Sequence, residues 1–227
     1  QREAQALSAL NHPNIVMVID FGLSDQGFPF LVMDYLQGTN LRDVIVNEKR
    51  VSSERAVPIF IQIASALAHA HSRDILHRDL KPDNVVLINV DGNKDFVKMI
   101  DFGLAKRLDE GRQNLKKLTM EGQVLGTPAY MSPEQIMGQK MDARTDIYAM
   151  GVLMFYTLTG GFPIWGSTEV DTMQRHVTTE PADFASVCPE AVIPQGLQLI
   201  IRKCLKKFPE DRQQSMQELK EELDWYR

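Results

Sequence analysis

The chain has 227 residues, of which 44% are hydrophobic, and 25 Lys+Arg against 30 Asp+Glu give a formal net charge of −5. That length suits one large domain or two lobes with a sizeable core, and the mild negative charge argues against nucleic acid as a main partner. No apolar run of about 18 residues occurs, so no membrane span is expected. Cys188 and Cys204 form no CxxC pair and read as reduced thiols of a cytosolic protein, and the start of the sequence, Gln1-Arg2-Glu3-Ala4, is not a signal peptide.

In chain order, residues 1–10 have helical spacing, with Ala4, Leu7 and Ala6, Leu10 on an apolar face but no capping residue ahead. Residues 15–21 and 28–33 are β-branched and aromatic runs around a glycine-containing turn, which predicts an antiparallel hairpin. Residues 41–47 suit a short helix. Ser52 or Ser53 then caps a longer one, with Glu54 well placed near its N-terminus. Ile59, Ile63 and Leu67 recur every four residues, giving an amphipathic helix that ends near His71-Ser72. His69 and His71 are two apart and face different ways on a helix, so no metal site is expected of them.

The stretch His77-Arg78-Asp79-Leu80-Lys81-Pro82-Asp83-Asn84 gathers an acid, a cation and an amide within eight residues, and Asp101-Phe102-Gly103 begins 22 residues after Asp79. This set suits phosphoryl transfer, which asks for positioning, metal ions and charge neutralisation rather than covalent help. Asp79 can accept a hydroxyl proton, Lys81 can reach a γ-phosphate, and Asn84 and Asp101 offer the hard oxygen ligands that Mg²⁺ prefers. Residues 85–90 and 96–100 form a second predicted hairpin, turning at Asp91-Gly92-Asn93-Lys94. It holds Asn84 at one base and Asp101 at the other.

Residues 107–124 are polar, of mixed charge and without period, and read as a mobile loop. Ser132-Pro133-Glu134-Gln135 has the form of a capping box. Residues 145–160 are apolar almost all round, which predicts a buried central helix ended by Gly160-Gly161; Asp146 near its start reads as helix-dipole stabilised, or as a simple N-cap. Residues 162–166 are a loop, helices follow over 170–176 and 197–206, and Ser215 with Glu218 forms a capping box for a last helix over 217–223. His176 and Trp225 are given no chemistry.

Four separated blocks carry a resemblance: His77 to Asn84; Asp101-Phe102-Gly103; Gly126-Thr127-Pro128-Ala129-Tyr130-Met131-Ser132-Pro133-Glu134; and Asp146-Ile147-Tyr148-Ala149-Met150-Gly151 with Arg212. In this order they resemble the protein kinase family, nearest to serine/threonine kinases of the bacterial type, with Ser132 where alanine is common. The resemblance covers nearly the whole chain. It implies an α+β, two-lobe fold: residues 1–36 as a remnant of the β small lobe and residues 37–227 as a helical large lobe. It implies transfer of the ATP γ-phosphate to Ser or Thr of protein substrates, with ATP and Mg²⁺ bound in a cytoplasmic domain.

By the same resemblance the catalytic set is Asp79, Lys81, Asn84 and Thr127, and Mg²⁺ is held by Asn84 and Asp101. The nucleotide set is Met33 as gatekeeper, the hinge residues Asp34 and Leu36, Asn40 near the ribose, Lys81, Val86 and Asp101. Glu134 pairs with Arg212 beneath the loop, and Asp146 holds the catalytic-loop backbone. His77 packs with Phe102, Leu7 and Val18. Arg78 would pair with a phosphate on Thr119.

The departure from the pattern lies at the start. Glu3 falls where the family has its small-lobe glutamate, but the glycine-rich loop and the lysine that grips the α- and β-phosphates are not in this sequence. These 227 residues alone are therefore expected to be impaired, as a cut or incompletely seen form. Apolar surface exposed by an incomplete small lobe also makes self-association an expectation. Three rival readings stand beside the enzyme: a pseudokinase or scaffold, which the presence of Asp79 and Asp101 opposes; a small-molecule kinase, which the peptide-positioning segment 126–134 opposes; and a large-lobe interaction module.

Overall fold

A computed structural model describes residues 10–102 and 128–227. Strands β1 (Val18–Leu23) and β2 (Pro29–Met33) pair antiparallel, with Val18 opposite Met33 and Leu23 opposite Pro29. This is the first expected hairpin, with its first strand starting three residues late and its second strand one residue late. The chain then forms a second antiparallel sheet in the order β3 (Gly38–Asn40), β4 (Val85–Val90) and β5 (Asn93–Met99).

The turn between β4 and β5 is tighter than the four residues expected. Asp91 (φ 51°) and Gly92 (φ 86°) both adopt left-handed backbone and Val90 already pairs with Asn93. Two left-handed residues match the right-handed twist of the strands they join, and Asp-Gly is the dipeptide that tolerates this. β3 has no strand pattern of its own. It is held by register alone, Gly38 opposite Ile88 and Asn40 opposite Val86. The segment before β1 joins the same sheet: Val16 N–H donates to Met99 O (2.9 Å) and Met99 N–H donates to Asn14 O (2.8 Å).

Eight helices are described: α1 (Leu41–Glu48), α2 (Ser53–His71), α3 (Pro133–Ile136), α4 (Ala143–Thr159), α5 (Glu169–Thr178), α6 (Phe184–Val187), α7 (Gln195–Cys204) and α8 (Met216–Tyr226). At α3 the capping box is complete: the Ser132 hydroxyl accepts from Gln135 N–H and the Gln135 side chain accepts from Ser132 N–H. At α8 only half of it forms. Ser215 caps Glu218 N–H, but the Glu218 carboxylate turns to Gln214 N–H (2.7 Å) and Lys203 (2.8 Å). Lys203 and the Gln214 amide each take one carboxylate oxygen, which turns the side chain away from Ser215 N–H.

α4 is the centre of the molecule. Ile147, Tyr148, Met150, Val152, Leu153, Met154 and Phe155 are all fully buried, each contributing about 1.5–3 kcal/mol by leaving water. The helix starts two residues earlier than its apolar run, because Asp142 is the N-cap and accepts Arg144 N–H at 2.9 Å. Asp146 is therefore not the N-cap; it is the fourth residue of the helix, still in its first turn. Gly160 ends α4 in left-handed backbone (φ 72°), and a Cβ there would sit 2.2 Å from Lys49 O, so only glycine fits. α2, α7 and α8 pack around this helix. Cys188 and Cys204 are buried free thiols. Among the described residues, no helix is long and apolar enough to cross a membrane.

Candidate active site

The loop 77–84 is held from below by the buried helix α4. Asp146, fully buried, accepts His77 N–H at Oδ2 (2.8 Å) and Arg78 N–H at Oδ1 (2.9 Å). His71, in the last turn of α2, stands 2.8 Å from the same Oδ2 through Nε2. Burial alone would raise the Asp146 carboxyl, but the hydrogen bond and charge of His71, with the His77 amide, carry it below the ordinary carboxylate range. An ionised carboxylate only accepts, so His71 Nε2 is the donor. The expected role of Asp146 is thus present as geometry, and His71 joins it. Sequence spacing judged His71 only against His69 as a metal pair. Its partner lies 75 residues away on another helix, and periodicity within one helix carries no sign of it.

To meet both oxygens of Asp146, the backbone turns sharply at Arg78, whose φ is 61°. A non-glycine residue there costs about 1–2 kcal/mol. Two hydrogen bonds to a buried carboxylate, each worth about 1.5–3 kcal/mol, offset that cost. The turn aims the next side chain, Asp79, outward. His77 is fully buried with its ring 4.7 Å from Phe102, and burial pushes its pKa down. It is a neutral packing residue, as expected, and not a base. Leu7, the other end of the expected stack, lies outside the described residues.

Asp79, Lys81 and Asn84 converge. Lys81 Nζ donates to Asp79 Oδ2 at 2.8 Å. Asn84 Nδ2 donates to Asp79 O at 2.9 Å and lies 3.5 Å from Asp79 Oδ2. With its amide nitrogen so engaged, the Asn84 side-chain oxygen is left without a hydrogen-bond donor among the described residues. Asp101 arrives from the end of β5. Met99 pairs with Val85, and Ile100 N–H donates to Asn84 O at 3.0 Å. Asp101 is exposed and also left-handed, φ 55°. One carboxylate and one amide oxygen at the base of one hairpin fit a hard divalent cation that takes its remaining ligands from phosphate and water. They do not fit an all-protein metal cage, and among the described residues no group of three His, Cys, Asp or Glu side chains forms one.

The expected nucleotide residues lie along one route. Met33 ends β2, and Asp34 N–H donates to Met17 O at 3.1 Å. Asp34 and Leu36 then fall in the connection to β3. Asn40 ends β3 opposite Val86 of β4. Val86 alternates with the buried Val85 and Leu87 and so faces away from the core. Both polar atoms of the Asn40 side chain are engaged: Oδ1 accepts Asp43 N–H (2.8 Å) as the N-cap of α1, and Nδ2 donates to Asp43 Oδ2 (2.9 Å). Thr127 and Thr119 lie outside the described residues.

Beneath the site, Glu134 and Arg212 form the expected buried pair, bonding at 2.8 and 2.9 Å through both guanidinium arms. A groove of about 740 Å³ opens beside Lys81 and runs between the Pro128–Tyr130 turn and the start of α5. Its aromatic wall comes from Tyr130, Tyr156, Phe162 and Trp165. Residues 162–166, expected only as a loop, carry two large rings within four residues, which is the signal in the sequence for this wall.

The protein kinase domain family matches residues 1–223. The serine/threonine-protein kinase pkn3 of Myxococcus xanthus is 40% identical over 223 residues, which is 98% of this chain and 41% of that protein. The serine/threonine-protein kinase PknB of Mycolicibacterium smegmatis is 36% identical over 231 residues, 98% of this chain and 35% of that protein. The chain thus spans about two fifths or less of the length of these relatives. Among solved structures, the crystal structure of Rad53 1-466 in complex with AMP-PNP superposes with a TM-score of 0.79 at 27% identity, covering 96% of this chain and 52% of that one.

Proposed function

This chain belongs to the protein kinase family, and on that premise we propose that it transfers the γ-phosphoryl group of ATP to serine or threonine hydroxyls of protein substrates. The observation that carries the reading is the convergence of Asp79, Lys81 and Asn84, with Asp101 at the other base of the same hairpin. Asp79 orients the acceptor hydroxyl and takes its proton. Lys81 Nζ, already 2.8 Å from Asp79 Oδ2, sets a positive charge where negative charge develops on the moving group. Asn84 and Asp101 would hold Mg²⁺, which would supply positive charge against the negative charge of the phosphates. Asp146 and His71 keep the loop in the geometry that lets these side chains meet. Residues 33–36 and Val86 would flank the base of the nucleotide, with residues 1–36 belonging to the small lobe and residues 37–227 to the large one.

The test is phosphate transfer from γ-labelled ATP with Mg²⁺ to a Ser/Thr-containing protein, beside Asp79→Asn. Loss of a positioned general base is expected to slow transfer by roughly 10²–10⁴-fold, with nucleotide binding and melting temperature retained. Transfer by Asp79→Asn at the parent rate would overturn the assignment. A scaffold reading finds no support in this site, because the acid, the base-side lysine and both metal oxygens are present together.

A further inference from the structure

The aromatic wall of the groove beside Lys81 is built as a stack. Tyr156 and Phe162 lie parallel, 4.6 Å apart and 11° from coplanar. Phe162 and Trp165 continue the stack at 4.9 Å and 16°. Tyr130 meets the middle ring, Phe162, edge-on at 5.6 Å. The stack ends at Trp165, which is 61% exposed. One face of its indole is covered by Phe162, and nothing described continues the stack on the other. What extends a row of parallel rings is another flat group: an aromatic side chain or a guanidinium.

The charges of the groove decide between these. Four charged side chains line it. Arg42 is neutralised by Asp83 at 2.9 Å, and Lys81 by Asp79 at 2.8 Å. Glu169, the first residue of α5, has no ion-pair or hydrogen-bond partner among the described residues. The groove therefore offers an open indole face and one uncompensated carboxylate, on a chain whose net charge is −5. A guanidinium stacks on indole more favourably than on any other side chain, and its donors match a carboxylate.

We infer that Trp165 and Glu169 form a specificity subsite for an arginine side chain near the phosphoacceptor residue of the protein substrate. This rests on the phosphotransfer reading only for treating the groove as a substrate groove. The test needs no ATP. Trp225, 91% exposed and not among the residues that line the groove, is replaced by Phe so that Trp165 is the sole tryptophan. Its emission is followed while serine peptides are titrated, with one arginine stepped through the positions on either side of the serine. Matched peptides carry alanine or leucine instead.

For one placement the arginine peptide is expected to bind roughly tenfold more tightly than its alanine counterpart, with a change in Trp165 emission. Trp165→Ala and Glu169→Gln should each abolish most of that preference, and added salt should weaken it in the parent. A leucine peptide that binds as tightly as arginine, a preference that survives Glu169→Gln, or no response to any peptide overturns the inference. Such a result with phosphate transfer intact leaves the proposed function standing. Arginine-dependent binding with no transfer under any condition removes the proposed function alone.

Discussion

Consider Glu134→Ala. Glu134 and Arg212 are 3% and 2% exposed. Oε1 accepts Arg212 Nη1 at 2.8 Å and the Thr145 hydroxyl at 2.9 Å, while Oε2 accepts Arg212 Nη2 at 2.9 Å. The guanidinium is further fixed by the carbonyls of Lys206, Lys207 and Arg144, all within 2.8–2.9 Å. These carbonyls take three of its five N–H hydrogens; the other two, and the charge, are met by Glu134. Removing Glu134 leaves a buried cation uncompensated, which costs about 3–5 kcal/mol. For a chain of this size that is a fall in melting temperature of about 10 °C. Denaturant unfolding should show a lower midpoint with an unchanged slope. The double variant Glu134→Leu with Arg212→Met should lose clearly less than the sum of the single losses, because it removes the orphaned charge as well. The pH dependence has a definite sign. Burial raises the Glu134 carboxyl, but the Arg212 hydrogen bonds and charge bring it net below its ordinary value of 4.5. A depressed carboxylate stabilises the fold above its unfolded pKa, and that contribution fades as pH falls through the folded value. Acid should therefore cost the parent stability that Glu134→Gln has already lost. If Glu134→Ala stays within about 1 kcal/mol of the parent, or the two single losses simply add, the pair does not carry the charge compensation argued here.

Other expectations follow from the same geometry. Asp101→Asn keeps a residue type that tolerates left-handed backbone and removes an exposed carboxylate; unfolding should change by less than about 0.5 kcal/mol, while Mg²⁺-dependent nucleotide binding measured by calorimetry falls sharply. His71→Ala removes one of the three donors to Asp146 and should cost about 1–3 kcal/mol. It should also lower kcat more than KM for ATP, and His71→Gln, which restores an N–H donor, should recover part of kcat in steady-state assays. His176 is buried with its Nδ1 2.8 Å from the Tyr148 hydroxyl, and burial followed by the Lys207 charge depresses its pKa to about 4. It stays neutral in the fold while the unfolded chain takes up a proton near 6.5, so its contribution is full above that pH and is lost progressively as pH falls towards 4. Melting curves of His176→Gln should be flatter than those of the parent across this window.

The parts of this molecule legible in the sequence share one property: their information is local or is carried by a motif. The α3 capping box, the buried all-apolar α4 and the β4–β5 hairpin each follow from residues a few positions apart. The convergence of Asp79, Lys81 and Asn84 is equally local, and Asp101 was placed by the hairpin between them. What sequence reading missed depends on distant contacts. β3 exists only as a partner for β4. His71 finds Asp146 across two helices. The half-formed box at Ser215 depends on Lys203, a residue of another helix. The aromatic stack needs Tyr156 of α4 brought beside a loop six residues later, and no periodicity announces that. Asp146 shows the intermediate case: family likeness gave its role, while its place within the helix depended on Asp142 taking the cap.

The tether from α4 to the catalytic loop has one more consequence. The amide protons of His77 and Arg78 belong to a loop, yet both are held by a buried carboxylate of the central helix, the first fully and the second partly out of water. Surface loops usually exchange their amide protons through small local openings. Their acceptor belongs to the helix with the most deeply buried face, so both amides are expected to exchange far more slowly than those of an untethered loop. On heating, the catalytic geometry is expected to be lost together with the fold rather than before it.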